Sequence, residues 1–429
     1  MDRFLTIFML LTTCVLHAQD TLRGRVWQSD TNAPVPMVNI VLQGTQIGTM
    51  TDFDGNFRLV VPALQRRDTL LFSCLGYKPV REPADLFTGY PFTLRMAPDA
   101  ILLNEVVITP RTAEEYLKMA LERRPHNYVT SPYHAWYYYR ETVKENGKLT
   151  QHDEAVIEAF LPRRYTADTT RLYLYGARRA KDLGRVQFMQ NYVDKKQSKA
   201  IKKAKKAKKI PLDSAVAKEG MRINFTTPYW LIDSNFAWNN LGFLNPAKFK
   251  LYEYAITHVT DWLGYKVLVI RFDQREKVKE PLYKGTIYLE ENSLAVVAVD
   301  FGLSERGLKH LVPGYVKPLL WTMGISFAPP KLTFHMRFKQ IGARWDFDYV
   351  YTSGFLHIEK DRWFKDDEVS DFTGEQLLYT LRRSDDVPAK PTSTLFIRRK
   401  QYLHKQFKGD YGITDWSQFN IPRHQQWGQ

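Results

Sequence analysis

A chain of 429 residues, 44% hydrophobic and 25% charged, has room for two or three domains with a true core, which excludes a disordered or fibrous polymer. The net charge of +15 points to nucleic acid only until it is located: Lys195, Lys196, Lys199 and the six lysines from Lys202 to Lys209 supply nine charges with no acid among them, and subtracting them leaves +6. The basicity belongs to one insert, residues 194–210, read as a solvated helix or loop or as a contact for anionic lipid headgroups, and no nucleic-acid partner is expected. Of the two cysteines, Cys14 falls in a segment expected to be removed, and Cys74 sits among apolar neighbours as a small hydrophobe, so no internal disulfide is expected.

Phe4 to Leu16 is an apolar run after Arg3, followed by His17-Ala18-Gln19-Asp20. It is too short to span a bilayer and reads as a secretory signal peptide, residues 1–19. The alternative is a lipoprotein signal acylated at Cys14, against which stands the bulk of Thr13. No later run is long and apolar enough for a transmembrane helix.

Residues 20–98 hold about seven short alternating stretches between turn signals, the pattern of a small β-sandwich. Gly24-Arg25-Val26, Pro36-Met37-Val38-Asn39-Ile40, Gly44-Thr45, Gly48-Thr49, Thr51-Asp52-Phe53-Asp54-Gly55-Asn56-Phe57 and Leu75-Gly76-Tyr77 resemble the carboxypeptidase-regulatory-like domain. That resemblance covers nearly the whole unit. It implies a transthyretin-like sandwich of the kind common at the front of Bacteroidetes outer-membrane proteins, without the metal ligands of carboxypeptidases. Asp52, Asp54 and Asn56 open like a calcium loop, but Gly55 comes too early and no acid closes it, so a tight turn is expected. Residues 99–111 read as a linker. In TonB-dependent receptors a similar Glu-Val-Val segment leads into a plug and a barrel. Here no plug-like segment follows, and roughly 320 residues are too few for a plug and 22 strands.

Thr112-Ala113-Glu114-Glu115 has capping-box spacing and opens a helix with Ala113, Leu117, Ala120 and Leu121 on one face, ended by Pro125. A long hairpin follows, turning at Glu145-Asn146-Gly147-Lys148. Its aromatic run from Tyr133 to Tyr139 reads either as packing against a neighbouring strand or as a surface for an apolar or glycan ligand. Residues 173–190 read as irregular and basic. From Lys248 to Leu303 lie four strands laid back and forth, Lys248 to Val259, Tyr265 to Asp273, Leu282 to Glu290 and Leu294 to Leu303, and we take this meander as the centre of the domain. The second and fourth are apolar on both faces and need cover on both sides. Another hairpin turns at Ile341-Gly342, a further strand follows Gly354, and from Asp366 the pattern dissolves into a charged, loop-rich tail, 366–429, with one helix over Leu395 to Gln406.

The expected fold is mainly β: a seven-stranded transthyretin-like sandwich, then a larger α+β domain over 112–365 whose curved antiparallel sheet is covered by a helix. This larger domain resembles the uncharacterised domain that follows the regulatory-like unit in many Bacteroidetes envelope proteins. Through its repeated strand pattern it also resembles the curved half-barrel of periplasmic lipoprotein carriers.

No catalytic constellation stands out: there is no H-E-x-x-H, C-x-x-C, P-loop or G-x-S-x-G. In His152-Asp153-Glu154, strand geometry puts His152 and Glu154 on one side and Asp153 on the other, so a metal would need a ligand from afar. Neither catalytic nor metal residues are assigned, and no cofactor. The expected function is a non-catalytic exported envelope protein, periplasmic or at the outer membrane, that binds a protein partner or an apolar or lipid ligand on its large sheet. Two alternatives stay open: an envelope hydrolase drawing on Ser304, His152 and Glu154, or an accessory component of an outer-membrane TonB-dependent system. An integral barrel is disfavoured, because Arg271, Glu253 and Asp300 interrupt the strands and no aromatic strand closes the chain at Gln429.

Overall fold

The computed structural model describes residues 19–65, 67–89, 91–99, 110–162, 170–181, 183–188, 226–235, 241–262, 264–361 and 367–422. Residues 1–18 of the segment read as a signal peptide, with Cys14, the Glu-Val-Val stretch and the lysine insert, lie outside them. The chain divides into two compact units, one of Met1–Asn104 with Asp261–Tyr265 and Thr414–Gln429, the other of Glu105–Thr260 with Lys266–Ile413.

The first unit is a sandwich of seven strands: β1 (Gln19–Gln28), β2 (Asn39–Leu42), β3 (Gly48–Met50), β4 (Asn56–Pro62), β5 (Thr69–Ser73), β6 (Val80–Pro83) and β7 (Phe92–Met96). One sheet runs β4-β1-β7 and the other β3-β2-β5-β6. Alternation does the work: Leu22, Val26, Phe57 and Leu59 from one sheet meet Ile40, Leu42, Leu70 and Phe72 from the other in one buried core. Cys74 packs half-buried against it. At Asp52 the side chain accepts from the backbone of Asp54 (3.0 Å) and Asn56 (2.8 Å), and Gly55 takes φ +75°, so these residues build a turn. A Cβ on Gly55 would meet the Val26 carbonyl at 2.4 Å. The outer edge of β4 is closed by Asn420, whose amide accepts from Val60 N–H (2.7 Å) and donates to Val60 C=O (3.0 Å), as a paired strand would.

The second unit is built on one eleven-stranded sheet. Its strands are β8 (Tyr133–Glu145), β9 (Lys148–Leu161), β10 (Arg171–Arg179), β11 (Tyr252–Trp262), β12 (Tyr265–Gln274), β13 (Tyr283–Glu290), β14 (Val296–Leu303), β15 (Ile325–Phe327), β16 (Lys331–Ile341), β17 (Arg344–Lys360) and β18 (Glu368–Ser384). The order is β10-β9-β8-β18-β17-β16-β14-β13-β12-β11, with β15 paired to part of β17. Every pairing with a defined register is antiparallel.

Several expectations are corrected here. The meander forms one end of the sheet, and its middle is β17 and β16. The segment read as the start of a tail is a seventeen-residue strand, because Leu377, Leu378, Tyr379 and Thr380 are buried between β17 and β8 while its charged first half pairs with the less buried end of β17. The strand after Gly354 is no separate element, since β17 runs through Ser353 and Gly354. The start of the stretch read as irregular, Tyr173 to Arg179, belongs to β10, the strand next to β9. No helix forms over 395–406: Leu395 C=O accepts from Leu174 N–H and Ile397 N–H donates to Leu172, so this stretch covers the free edge of β10, with only a 3-10 turn at Leu403–Lys405.

The expected helix, α1 (Ala113–Asn127), carries its capping box and buries Ala113, Leu117 and Ala120. Pro125 does not end it: the helix runs two residues further, to Asn127, and Tyr128 N–H still caps onto Arg124 C=O. Asn127 donates to Ser293 C=O (2.9 Å) and Tyr128 Oη to Val296 C=O (2.7 Å), which fixes the helix end on the β13–β14 turn. The first meander strand starts at Tyr252, not Lys248. Asn245 caps a 3-10 turn over Pro246–Leu251, and the turn before it, Gly242–Leu244, lays Phe243 flat on Phe272 at 4.2 Å, with Phe301 at 5.0 Å. The side of β12 and β14 that carries Phe272 and Phe301 is thus covered by the chain itself.

Candidate functional site

Register fixes what the opposite side of the meander presents. In β12, β13, β14 and β16 the residues alternating with Phe272, Gly285, Phe301 and Phe334 are Arg271, Thr286, Asp300 and His335. These four line an open groove of about 1210 Å³, rimmed by Leu308, Ala328, Pro329, Pro330, Leu332 and Phe355. Gly285 and Gly302 admit a close approach of the neighbouring backbone: a Cβ on Gly285 would meet the Asp300 carbonyl at 2.1 Å, and on Gly302 the Leu332 carbonyl at 2.4 Å.

The groove is apolar at its rim and charged at its floor, and most of the charge is committed. Asp300 takes both prongs of Arg337, at 2.6 and 3.1 Å, and His335 Nδ1 lies 2.7 Å from it. Burial pushes the Asp300 carboxyl up, but Arg337 and His335 outweigh it and hold it at about 2. The same carboxylate keeps the Arg337 guanidinium charged despite its burial. Lys284 donates to Glu305 at 2.6 Å, and Arg306 pairs with Glu253 and lies 3.6 Å from Asp273. All four carboxylates on the groove are therefore paired. Arg271 and Lys331, both exposed, form no salt bridge with any described residue. Arg271, Glu253 and Asp300 were legible in the sequence only as charges unfit for a lipid-facing strand. Charge recurring at alternate positions of β-branched strands is the signal that marks such a floor.

The hydrolase candidates are not brought together. Ser304 is a helix cap: its hydroxyl donates to Asp273 (2.6 Å) and accepts from Arg306 N–H at the start of α2 (Glu305–Leu308). His152 lies on β9, with β8, β18, β17 and β16 between it and β14, roughly 24 Å of sheet. His152 Nδ1 meets Thr142 Oγ1 at 2.9 Å and Nε2 lies 3.8 Å from Glu154, which also binds Tyr138 and Arg178. The aromatic run of β8 is buried from Tyr133 to Tyr139 and packs against its neighbours, with Trp136 edge-on to Tyr175 at 4.6 Å; it forms no open surface.

Asp153 points the other way, as strand parity requires. There it meets Glu141 of β8 and His404 of the C-terminal stretch, the three ligand atoms within 4.8 Å of one another and all buried. Among the described residues this trio has the donor set to hold a divalent cation. Its negative charge already has partners: Arg179 Nε lies 2.6 Å from Asp153, while Tyr139 Oη (3.1 Å) and Gln376 Nε2 (3.0 Å) donate to Glu141.

Residues 22–108 match the family described as CarboxypepD_reg-like domain, so the N-terminal sandwich is a domain of that kind. The chain is 36% identical over 90 residues to the TonB-dependent receptor SusC of Bacteroides thetaiotaomicron and 38% identical over 105 residues to TonB-dependent receptor P3 of Formosa agariphila, covering 21% and 24% of this chain. The matched stretches span only 8% and 10% of those receptors. Among solved structures the chain is similar to lipovitellin (TM-score 0.25, 8% identity, 62% of this chain and 26% of that one). It is also similar to a DUF1329 family protein from Desulfovibrio piger (TM-score 0.21, 10% identity, 63% and 94%).

Proposed function

We propose that this is a non-catalytic exported protein of the cell envelope, periplasmic or associated with the outer membrane, whose large sheet binds an amphiphile with an apolar body and an anionic head. The observation that carries the reading is the charge pattern of the groove. Its carboxylates are paired, Arg271 and Lys331 have no such partner among the described residues, and the rim is apolar. A site of this kind supplies apolar area for affinity and a few charges for orientation. The envelope setting draws on the leader-like N-terminus and on the domain shared with TonB-dependent receptors. That shared domain also favours a second reading, an accessory component of an outer-membrane TonB-dependent system.

Mass spectrometry of an organic extract tests the first reading, using mature protein purified from its own envelope without detergent. A stoichiometric anionic lipid or fatty acid is the expected result. A clean extract, together with no uptake of added anionic lipid, overturns the ligand reading and leaves the protein-partner one.

A further inference from the structure

Twelve large hydrophobic side chains are exposed among the described residues, and four of them fall within nine positions: Tyr315 (83%), Leu319 (59%), Trp321 (83%) and Met323 (41%). They lie on and beside a short helix, α3 (Lys317–Thr322), between α2 and β15. We propose that this segment, residues 309–323, is a contact for a bilayer surface rich in anionic phospholipid.

The segment is rooted, not frayed. Gly324 N–H closes the helix onto Trp321 C=O (2.9 Å), Asp361 N–H donates to Gly324 C=O (2.8 Å), and Ile325 to Phe327 pair with Ile358 to Lys360 of β17. A fixed root with an apolar tip is what a protein needs to insert side chains to headgroup depth without unfolding. Trp and Tyr favour that depth because their rings are apolar on one side and polar at one edge.

Charge selects the membrane over a generic protein partner. From Lys309 to Lys331 the chain carries Lys309, Lys317 and Lys331 with no acid between them. Glu359 and Asp361 flank Lys360 at the root, where β15 meets β17, and not at the tip. Lysines around exposed aromatic and aliphatic side chains match an anionic headgroup layer over hydrocarbon. The chain flanking the segment on both sides also lines the groove, through Leu308 and Ala328 to Pro330, so the tip brings the groove to the source of an amphiphile. The inference draws on the groove reading for that purpose alone, and the two fail separately.

The test is co-sedimentation of the full chain with vesicles of phosphatidylethanolamine and phosphatidylglycerol, against pure phosphatidylcholine. Three proteins are compared: the wild type, a Leu319→Ser/Trp321→Ser variant, and a variant with Lys202, Lys203, Lys205, Lys206, Lys208 and Lys209 changed to Gln. The wild type is expected to partition onto the anionic vesicles. The tip variant should lose about ten-fold or more in partitioning with an unchanged melting curve, since both side chains are exposed. The lysine variant should retain tip-dependent binding. Absence of wild-type binding, or equal binding by the tip variant, overturns the proposal. So does a wild-type dimer that the tip variant converts to monomer without any vesicle binding, which would make a second copy the occupant. A lipid-free extract with no uptake of added anionic lipid, alongside normal sedimentation, would instead sink the groove reading and leave this one standing.

Discussion

Asp300 on β14 and Arg337 on β16 hold each other as a two-pronged pair, Nη1 to Oδ1 at 2.6 Å and Nη2 to Oδ2 at 3.1 Å, with His335 on the same carboxylate. The pair ties two neighbouring strands together under the groove, and its acidity fixes the sign of its contribution. The Asp300 carboxyl is held at about 2, below its unfolded value, so its stabilisation is complete above about pH 4 and is lost as pH falls through about 2.

Asp300→Asn is therefore expected to cost on the order of 2 kcal/mol near neutral pH. Urea unfolding of wild type and variant at pH 7 and pH 3 checks it. The gap should narrow at the lower pH, and a gap that stays constant would remove the ion pair as its cause.

A second buried pair behaves in the opposite sense. Arg383 on β18 lies 2.8 Å from Asp346 on β17, both side chains 4% exposed. Burial pushes the Asp346 carboxyl up to about 6 even though Arg383 opposes it. The folded state thus holds a proton that the unfolded state has released between about pH 4 and pH 6, so this group's contribution weakens as pH rises through that window. Arg383→Met leaves the carboxylate uncompensated and is expected to cost about 3 kcal/mol at pH 8. At pH 5, where Asp346 is protonated, the loss should be smaller. Thermal melts at the two pH values decide it, and a larger loss at pH 5 would contradict the assignment.

How much of this was readable beforehand depends on where each residue's partners lie. The meander was legible because Val267 to Ile270 and Val296 to Val299 are buried on both faces, and such runs have few other uses. β18 was not, because its first half, Glu368 to Glu375, is polar and gains order only by pairing with β17. The trio of Glu141, Asp153 and His404 shows the same limit: parity put Asp153 alone on its face, but only tertiary structure brings in a histidine 251 positions on. The groove floor was half legible. Its charges were visible, but the direction they share follows from register across four strands.

Phe243 tests the cover over the other face. It is fully buried, stacked on Phe272 and in contact with the rings of Tyr252, Tyr283 and Phe301. Phe243→Ala should cost about 3–5 kcal/mol, from lost burial plus the cavity left beneath a 3-10 turn. Denaturant midpoints measure the loss. A change below about 1 kcal/mol would mean that Phe272 and Phe301 are sheltered by something other than this residue.

Arg271 carries the sharpest prediction for ligand binding, because stability and binding separate there. Its side chain is exposed on the groove floor and pairs with no described acid, so Arg271→Glu should change stability by no more than about 0.5 kcal/mol. Reversing that charge sets a carboxylate against an anionic head, while the apolar rim from Leu308 to Phe355 is untouched. Titration with the fluorescent fatty acid cis-parinarate should then show affinity lower by about ten-fold or more, with the loss shrinking as salt screens the pair. An uncharged probe, the methyl ester of the same acid, should bind both proteins alike. If wild type and Arg271→Glu bind the acid equally, the head does not sit at Arg271, and recognition in the groove rests on the apolar rim.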